Sequence, residues 1–193
     1  MPGASAVCNL ASLQPRADDD ETWNVIIETP KGSRNKYSYD LECGLFRLKK
    51  MLPLGNVFPF DFGFVPSTLA DDGDPLDVLV LMDSQAFAGC LVPVRLIGVI
   101  EARQDEEGEK CRNDRLIAIS TESRNQQHVR TIKDLDDHET EEIEHFFISY
   151  HQLEGKPFKP IGRRGPKHAG RLVKEGMERF FEQLQSSALE RAG

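Results

Sequence analysis

Asp71-Asp72-Gly73-Asp74-Pro75-Leu76-Asp77-Val78-Leu79-Val80-Leu81 joins an acidic turn directly to an apolar run. The apolar part reads as a buried strand. Four carboxylates precede or open it within seven residues. Ionised carboxylates this close repel one another, so a folded cleft must neutralise them. Hard divalent cations do so, and an oxygen-only ligand set suits Mg²⁺ or Mn²⁺. Gly73 and Pro75 shape a turn on which Asp72, Asp74 and Asp77 can converge, with the strand fixing their base. A solvated acidic turn is the plain alternative. The order of Gly, Pro and apolar residues favours a metal site.

Outward from this stretch the texture is β-like on both sides. Residues 23–29 are rich in Val and Ile and are followed by the turn Pro30-Lys31-Gly32-Ser33. Strands are expected at 35–41, 45–50, 77–82, 91–102 and 116–120, with a strand or bent loop at 57–65. Residues 136–152 then place Ile143, Phe146, Phe147 and Tyr150 at helical spacing, with acidic residues early, as the helix dipole prefers. Residues 166–189 repeat the helical period, and 155–165 between them read as a basic loop containing Pro and Gly. Short strands followed by two helices predict an α+β fold, a small β-barrel flanked by helices. Residues 1–21 are polar and small and read as a flexible lead, leaving 22–193 as a single domain.

Composition bounds the function. A chain of 193 residues, 39% hydrophobic and 29% charged, suits one globular domain. A net charge of -8 argues against general nucleic-acid binding. No apolar stretch approaches the roughly 20 residues needed to cross a bilayer, and residues 1–21 lack the pattern of a secretory signal. Cys8, Cys43, Cys90 and Cys111 lie far apart without paired spacing, as free thiols in a reducing cytoplasm would.

Other side chains extend the acidic cluster. Glu28 is the lone acid at the end of Val25-Ile26-Ile27, where an inward carboxylate is costly unless used. Lys36, Lys49, Lys50 and Arg115 sit in or beside expected strands and, on a common barrel, would face the carboxylates across a cleft. Taken singly they read as solvated strand edges. The hairpin 105–109 and the segment Asn113-Asp114-Arg115 bring oxygen ligands and a cation to a strand end. Other chemistries are excluded. No Gly-x-x-x-x-Gly-Lys loop and no Gly-x-Gly-x-x-Gly turn is present, His138-Glu139 lacks the second histidine of a zinc protease, and Pro75-Leu76-Asp77 breaks EF-hand spacing. His145 and His151 read as surface or partly packed helix residues.

Asp-Gly-Asp-Pro-Leu-Asp-Val-Leu-Val at 72–80 resembles the signature of the soluble family I inorganic pyrophosphatases. The likeness runs through Glu28, Lys36-Tyr37, Phe58-Pro59, Phe62-Gly63-Phe64 and His145-Phe146-Phe147 to Tyr150. It implies a five-stranded OB-like β-barrel with flanking helices, including a C-terminal helix, and Mg²⁺-dependent hydrolysis of pyrophosphate to two phosphates. It further implies Asp72, Asp77, Asp105, Glu28 and Asp114 as metal ligands and Asp74 as the general base. Lys36, Lys49, Arg115 and Tyr150 take the phosphate-binding places. The resemblance also implies a homo-oligomer, a hexamer if bacterial and a dimer if eukaryotic, and the compact length favours the hexamer.

The chain departs from that pattern at several places. Lys49 stands for an arginine and loses its bidentate fork, and Arg115 stands for a lysine. Phe58 and Phe62 replace tyrosines, Ser38 a glutamate and His151 a lysine. Asn113 aligns with the second hairpin aspartate while Asp114 lies one position on, so either could take that place. Arg112, Arg163 and Arg164 are candidate replacement cations. The alternatives that keep the fold are a hydrolase of a larger phosphate ester or anhydride, and a silent metal- or phosphate-binding module.

Overall fold

The computed structural model describes residues 9–17, 19, 21–106, 109–152 and 155–192, without the side chains of 105, 106, 109, 110 and 188–192. Its strands are β1 (Trp23–Thr29), β2 (Asn35–Asp40), β3 (Leu45–Met51), β4 (Asp61–Phe64), β5 (Asp77–Leu81), β6 (Leu91–Glu106), β7 (Glu109–Arg112) and β8 (Arg115–Ser120). Helix α1 (Asp137–Gln152), β9 (Phe158–Arg164) and α2 (Pro166–Ala192) complete the chain. Strands β1, β4, β5, β8 and β6 pair in that order, and β6 returns to β1, with Trp23 opposite Val94 and Ile26 opposite Leu91. The five strands therefore close into a ring, as expected. Closure removes the unpaired edges that an open sheet of this size would expose. Strands β2 and β3 form a separate hairpin.

The apolar runs explain which strands are central. In β5, Val78 and Val80 join one hydrophobic cluster, while Leu79 and Leu81 join another. Strand β8 divides in the same way, with Leu116 and Ala118 against Ile117 and Ile119. Alternate side chains point to opposite faces, so a strand apolar at every position must be covered twice. Helix α1 covers one cluster with Ile143, Phe147 and Tyr150, and α2 covers the other with Ala169 and Val173.

Two departures from the sequence reading, at β9 and His151, have physical causes. The segment read as a loop at 155–165 contains β9, which pairs with β6 from Val99 opposite Arg164 to Gln104 opposite Phe158. Strand β6 runs to Glu106 and offers an edge there, Phe158 is buried, and an edge position tolerates Pro160. The segment read as a strand or bent loop at 57–65 is strand at Asp61–Phe64 and irregular before it, within that reading. His151 is 5% exposed, so it belongs to the interior rather than to the helix surface. Of the expected lead, the described part lies against the barrel: Ala11 is buried, Ser67 N–H donates to its carbonyl at 2.7 Å, and Asn24 N–H donates to Pro15 O at 2.9 Å. Residues 1–8, Cys8 among them, lie outside the described part, and the described Cys43, Cys90 and Cys111 are unpaired.

The β1–β4 contact depends on Gly63. A Cβ there would lie 2.0 Å from Ile26 O and 2.9 Å from Ile27 Cα, both backbone atoms of the neighbouring strand. Gly63→Ala is therefore expected to destabilise at or above the upper end of the ~1–3 kcal/mol range for overpacking. A denaturant midpoint unchanged from the parent protein would contradict this.

Candidate active site

Strands β5 and β8 run parallel, with Val78 beside Leu116. The residues that open the two strands are therefore neighbours, and Arg115 meets the Asp77 carboxylate at 2.8 Å. Arg115 is 6% exposed. It also donates to Asp114 O at 3.1 Å and to the Asn113 side-chain oxygen. Its guanidinium lies 5.3 Å from the Phe147 ring and 5.7 Å from the Phe158 ring. A guanidinium in such surroundings is tolerable only because a carboxylate accompanies it.

The rest of the acidic turn is held by short-range bonds. Val65 N–H donates to Leu76 O at 3.0 Å, Leu76 N–H to Thr68 Oγ1 at 3.1 Å, and Ala70 N–H to Asp74 O at 2.7 Å. Gly73 takes φ +87°, a conformation that other residues rarely adopt. Helix α2 pins the loop from outside, as Leu69 N–H donates to Gly176 O at 2.9 Å and Arg179 Nε to Leu69 O at 2.8 Å. Asp72 accepts from Asp74 N–H at 3.1 Å. Partial desolvation raises its carboxyl pKa above the ordinary value although the residue is exposed, and the charges of Asp74 and Asp77 add to the effect. Asp71 points outward beside Arg179, 3.7 Å away.

Two small cavities meet at Asp77. One, of about 130 Å³, is lined by Asp72, Asn113, Asp114 and Arg115 among others. The second, of about 100 Å³, holds Glu28, Lys36, Ser38 and Asp74, and Asp77 and Pro75 line both. Glu28 closes β1 and is buried, which pushes its carboxyl up to about 7, with the Asp77 charge contributing. Tyr39 N–H donates to it at 2.6 Å, and the Ser38 hydroxyl lies 3.4 Å away. The cations gather over aromatic rings. Lys36 Nζ stands 5.5 Å from the Phe62 centroid and 5.4 Å from that of Tyr150, and Lys50 Nζ stands 3.6 Å from Tyr150. Lys36 pairs with Lys50, then Tyr37 with Leu48, so Lys49 is the extra residue of a bulge and is exposed.

The segment before β8 is committed to internal bonds. Asn113 donates to the Gln104 side-chain oxygen and accepts from Arg115, a two-sided role that an amide fills and a carboxylate cannot. Both Asp114 oxygens are engaged, Oδ1 by Ala102 N–H at 3.0 Å and Oδ2 by Arg112 at 2.8 Å. Arg112 and Arg164 each reach Glu101 at 2.9 Å, and Arg163 forks onto Glu144 at 2.7 and 3.0 Å. These three arginines are thus engaged in ion pairs. The side chain of Asp105 lies outside the described residues. Among the described residues no three His, Cys, Asp or Glu side chains form a closed ligand set. The donors present still fit a hard divalent cation. They are all carboxylate oxygens, and like-charge repulsion at Asp72 is the strain that a dication relieves.

The sequence model of a family described as inorganic pyrophosphatase matches residues 25–181. The inorganic pyrophosphatase of Methanosarcina mazei is 38% identical over 163 residues, covering 84% of this chain and 94% of the relative. That of Thermus thermophilus is 38% identical over 177 residues, covering 90% and 99%. The crystal structure of the Thermus thermophilus enzyme superposes with a TM-score of 0.82 at 36% identity, covering 89% of this chain and 98% of that one. A Helicobacter pylori inorganic pyrophosphatase gives 0.78 at 33%, covering 87% and 98%. The chain belongs to the family I inorganic pyrophosphatases.

Within this pyrophosphatase frame, sequence reasoning missed Glu101 and Gln104. Both are buried polar residues on β6 that hold Arg112, Arg164 and Asn113 in place. The signal was available, because an acid inside Gly98-Val99-Ile100-Glu101-Ala102 needs a partner. His151 shows what the site does to its surroundings. It stacks on Phe158 at 5.1 Å, and burial lowers its pKa to about 3, with the charges of Arg115, Lys36, Lys50 and Lys156 adding to the effect. The unfolded chain takes up this proton below pH ~6.5 while the folded chain refuses it until about pH 3. Stability thus falls across that window as pH drops, by about 1.4 kcal/mol per pH unit from this residue. His151→Phe is expected to remove that slope, read as the difference in unfolding free energy between parent and variant from pH 7 to 4. Parallel curves for the two proteins would overturn the assignment.

Proposed function

We propose that this chain hydrolyses inorganic pyrophosphate to two phosphates with the help of divalent cations, Mg²⁺ first and Mn²⁺ as a substitute. The observation that carries the reading is the meeting at Asp77 of carboxylates, Arg115 and, through the adjoining cavity, Lys36 and Glu28. The cavities, at about 130 and 100 Å³, fall well below the roughly 300–1,000 Å³ typical of sites for drug-sized ligands and suit a small anion. Family membership supplies the reaction.

In this reading Asp72 and Asp77 are the principal metal ligands, joined by Asp105, and Glu28 holds a further ion at the edge. Asp114 would join them only by giving up Arg112. A divalent ion held there would supply a water acidified toward neutrality. Asp74 lines the cavity it shares with Asp77 and would accept or steer a proton there. Lys36, Arg115 and Tyr150 neutralise the phosphates and the charge that grows on the leaving group, and Lys49 would join them only by turning in from the outer side of the β2–β3 bulge. Lys50 shares the Tyr150 ring and belongs with them. Residues 22–193 act as one catalytic unit. The unpaired Cys43, Cys90 and Cys111 support a reducing, cytoplasmic setting. Exposed apolar side chains at Leu45, Leu48, Met51 and Leu54 support self-association, with a hexamer favoured.

Phosphate release from pyrophosphate is expected to require added Mg²⁺ and to stop when the metal is chelated. Asp74→Asn should lower kcat by roughly 10²–10⁴-fold with Mg²⁺ binding retained by calorimetry. A parent protein inert towards pyrophosphate across metals and pH would sink the reading. So would an Asn variant with full turnover. Light scattering of the purified chain is expected to report a multiple of the 21.7 kDa protomer mass, and a monomer at micromolar concentration would exclude the hexamer.

A further inference from the structure

Beyond the carboxylate site lies a second concavity of opposite charge. It measures about 630 Å³ and is lined by six cations, Arg16, Arg95, Arg130, Lys167, Arg171 and Lys174, against one acid, Glu21. That concentration of positive charge stands out in a chain of net charge -8. The cations come from separate elements. Arg16 bridges to the start of β1, Arg95 lies in β6, Arg130 precedes a short 3-10 turn, and the other three belong to α2. Residues 167, 171 and 174 recur at helical spacing, so they share one face of α2 and span about 10 Å along it.

Arg16 set aside, these cations meet few acids among the described residues. Arg95 donates to Val129 O at 2.7 Å, a neutral partner. Arg171 meets Glu175 at 3.5 Å. Among the described residues Arg130, Lys167 and Lys174 make no ion pair. Burial lowers the Arg95 pKa, the Arg130 charge adds to that, and Glu21 partly offsets it. Cations brought around one cavity from β6, the segment at 130 and α2 suit an anion that joins them. A single phosphate cannot reach side chains spread along two turns of helix, whereas a chain of phosphates can. Trp23 lies in the wall, but it is buried and the Arg16 guanidinium covers its ring at 4.0 Å, so it offers no face for a nucleobase to stack on.

We propose that this cavity is a binding site for condensed phosphate, a chain of three or more phosphates recognised through its anionic oxygens, separate from the catalytic cleft. Arginine and lysine together suit such a ligand, the first forking onto two oxygens and the second acting as a point charge. The same chemistry is offered by inorganic tripolyphosphate and by the tail of a nucleoside triphosphate. The site reads the tail.

Trp23 is the only tryptophan of the chain and reports on its own cavity. The full-length protein, with chelator present to silence catalysis and ionic strength held constant, is titrated with tripolyphosphate, ATP, adenosine and sulfate while tryptophan emission is followed. Tripolyphosphate and ATP are expected to give saturable changes with similar midpoints, and adenosine and sulfate none. The double variant Lys167→Glu/Lys174→Glu, at two exposed positions, should bind roughly tenfold or more weakly, with unchanged pyrophosphate hydrolysis in the absence of added ligand. Lys36→Ala, which alters the catalytic cleft, should leave the titration intact. The proposal is overturned by a response to ATP without one to tripolyphosphate, by an equal response to sulfate, by full affinity in the double variant, or by loss of the response in Lys36→Ala.

Discussion

The parallel pairing of β5 with β8 is the constraint on which the candidate site depends. Parallel neighbours begin at the same end, so the residues that open them, Asp77 and Arg115, are forced into contact. Parallel strands cannot be joined by a tight turn, and here the connection runs through β6 and the β7 hairpin. The chain between the two strands therefore returns to the same end and carries Asn113 and Asp114 with it. The resulting ion pair is sheltered on the arginine side, so replacing Asp77 would leave a buried guanidinium without its counter-ion. The field of Arg115 also reaches His151, which the interior keeps neutral.

Around that pair, charge is sorted rather than mixed. Carboxylates outnumber cations at Asp72, Asp74, Asp77 and Glu28, and desolvation raises the pKa of Asp72 and Glu28 above the ordinary carboxyl value. An excess of this sign is stable when a dication shares it and costly otherwise. The opposite excess gathers in the cavity at the start of α2. One helix touches both regions, with Lys167, Arg171 and Lys174 on the basic cavity and Leu172, Glu175 and Arg179 on the acidic one. Aromatic rings keep the inner wall dry. Phe58 and Phe62 are each 2% exposed and pack on Tyr150, Phe146 and Phe147, so these two positions bring no polar group into the core.

Much of this was legible in residue order. β1, β5 and β8 follow unbroken or nearly unbroken apolar runs, and α1 and α2 follow periods of three and four, because burial on a face leaves that trace. β9 left none. Phe158-Lys159-Pro160-Ile161-Gly162-Arg163-Arg164 is basic and broken by Pro and Gly, and only the spare edge of β6 makes a strand of it. The choice between Lys49 and Lys50 was equally hidden. A bulge in the β2–β3 pairing turns Lys49 outward and aims Lys50 at Tyr150, and local composition does not announce where a register slips.

The acidic run and its strand were determined by sequence alone, since Gly73, Pro75 and the spacing of the carboxylates act within a few residues. So was family membership, which rests on that run and on the ordered matches from Glu28 to Tyr150. Tertiary structure decided how the ligands are shared. It committed Asp114 to Arg112 and Ala102, made Asn113 a link between Gln104 and Arg115, and buried His151 among aromatic rings. It also drew six distant cations around one cavity. The reason is physical: a side chain's partners across a closed barrel are set by strand register and helix docking, which are properties of the whole chain.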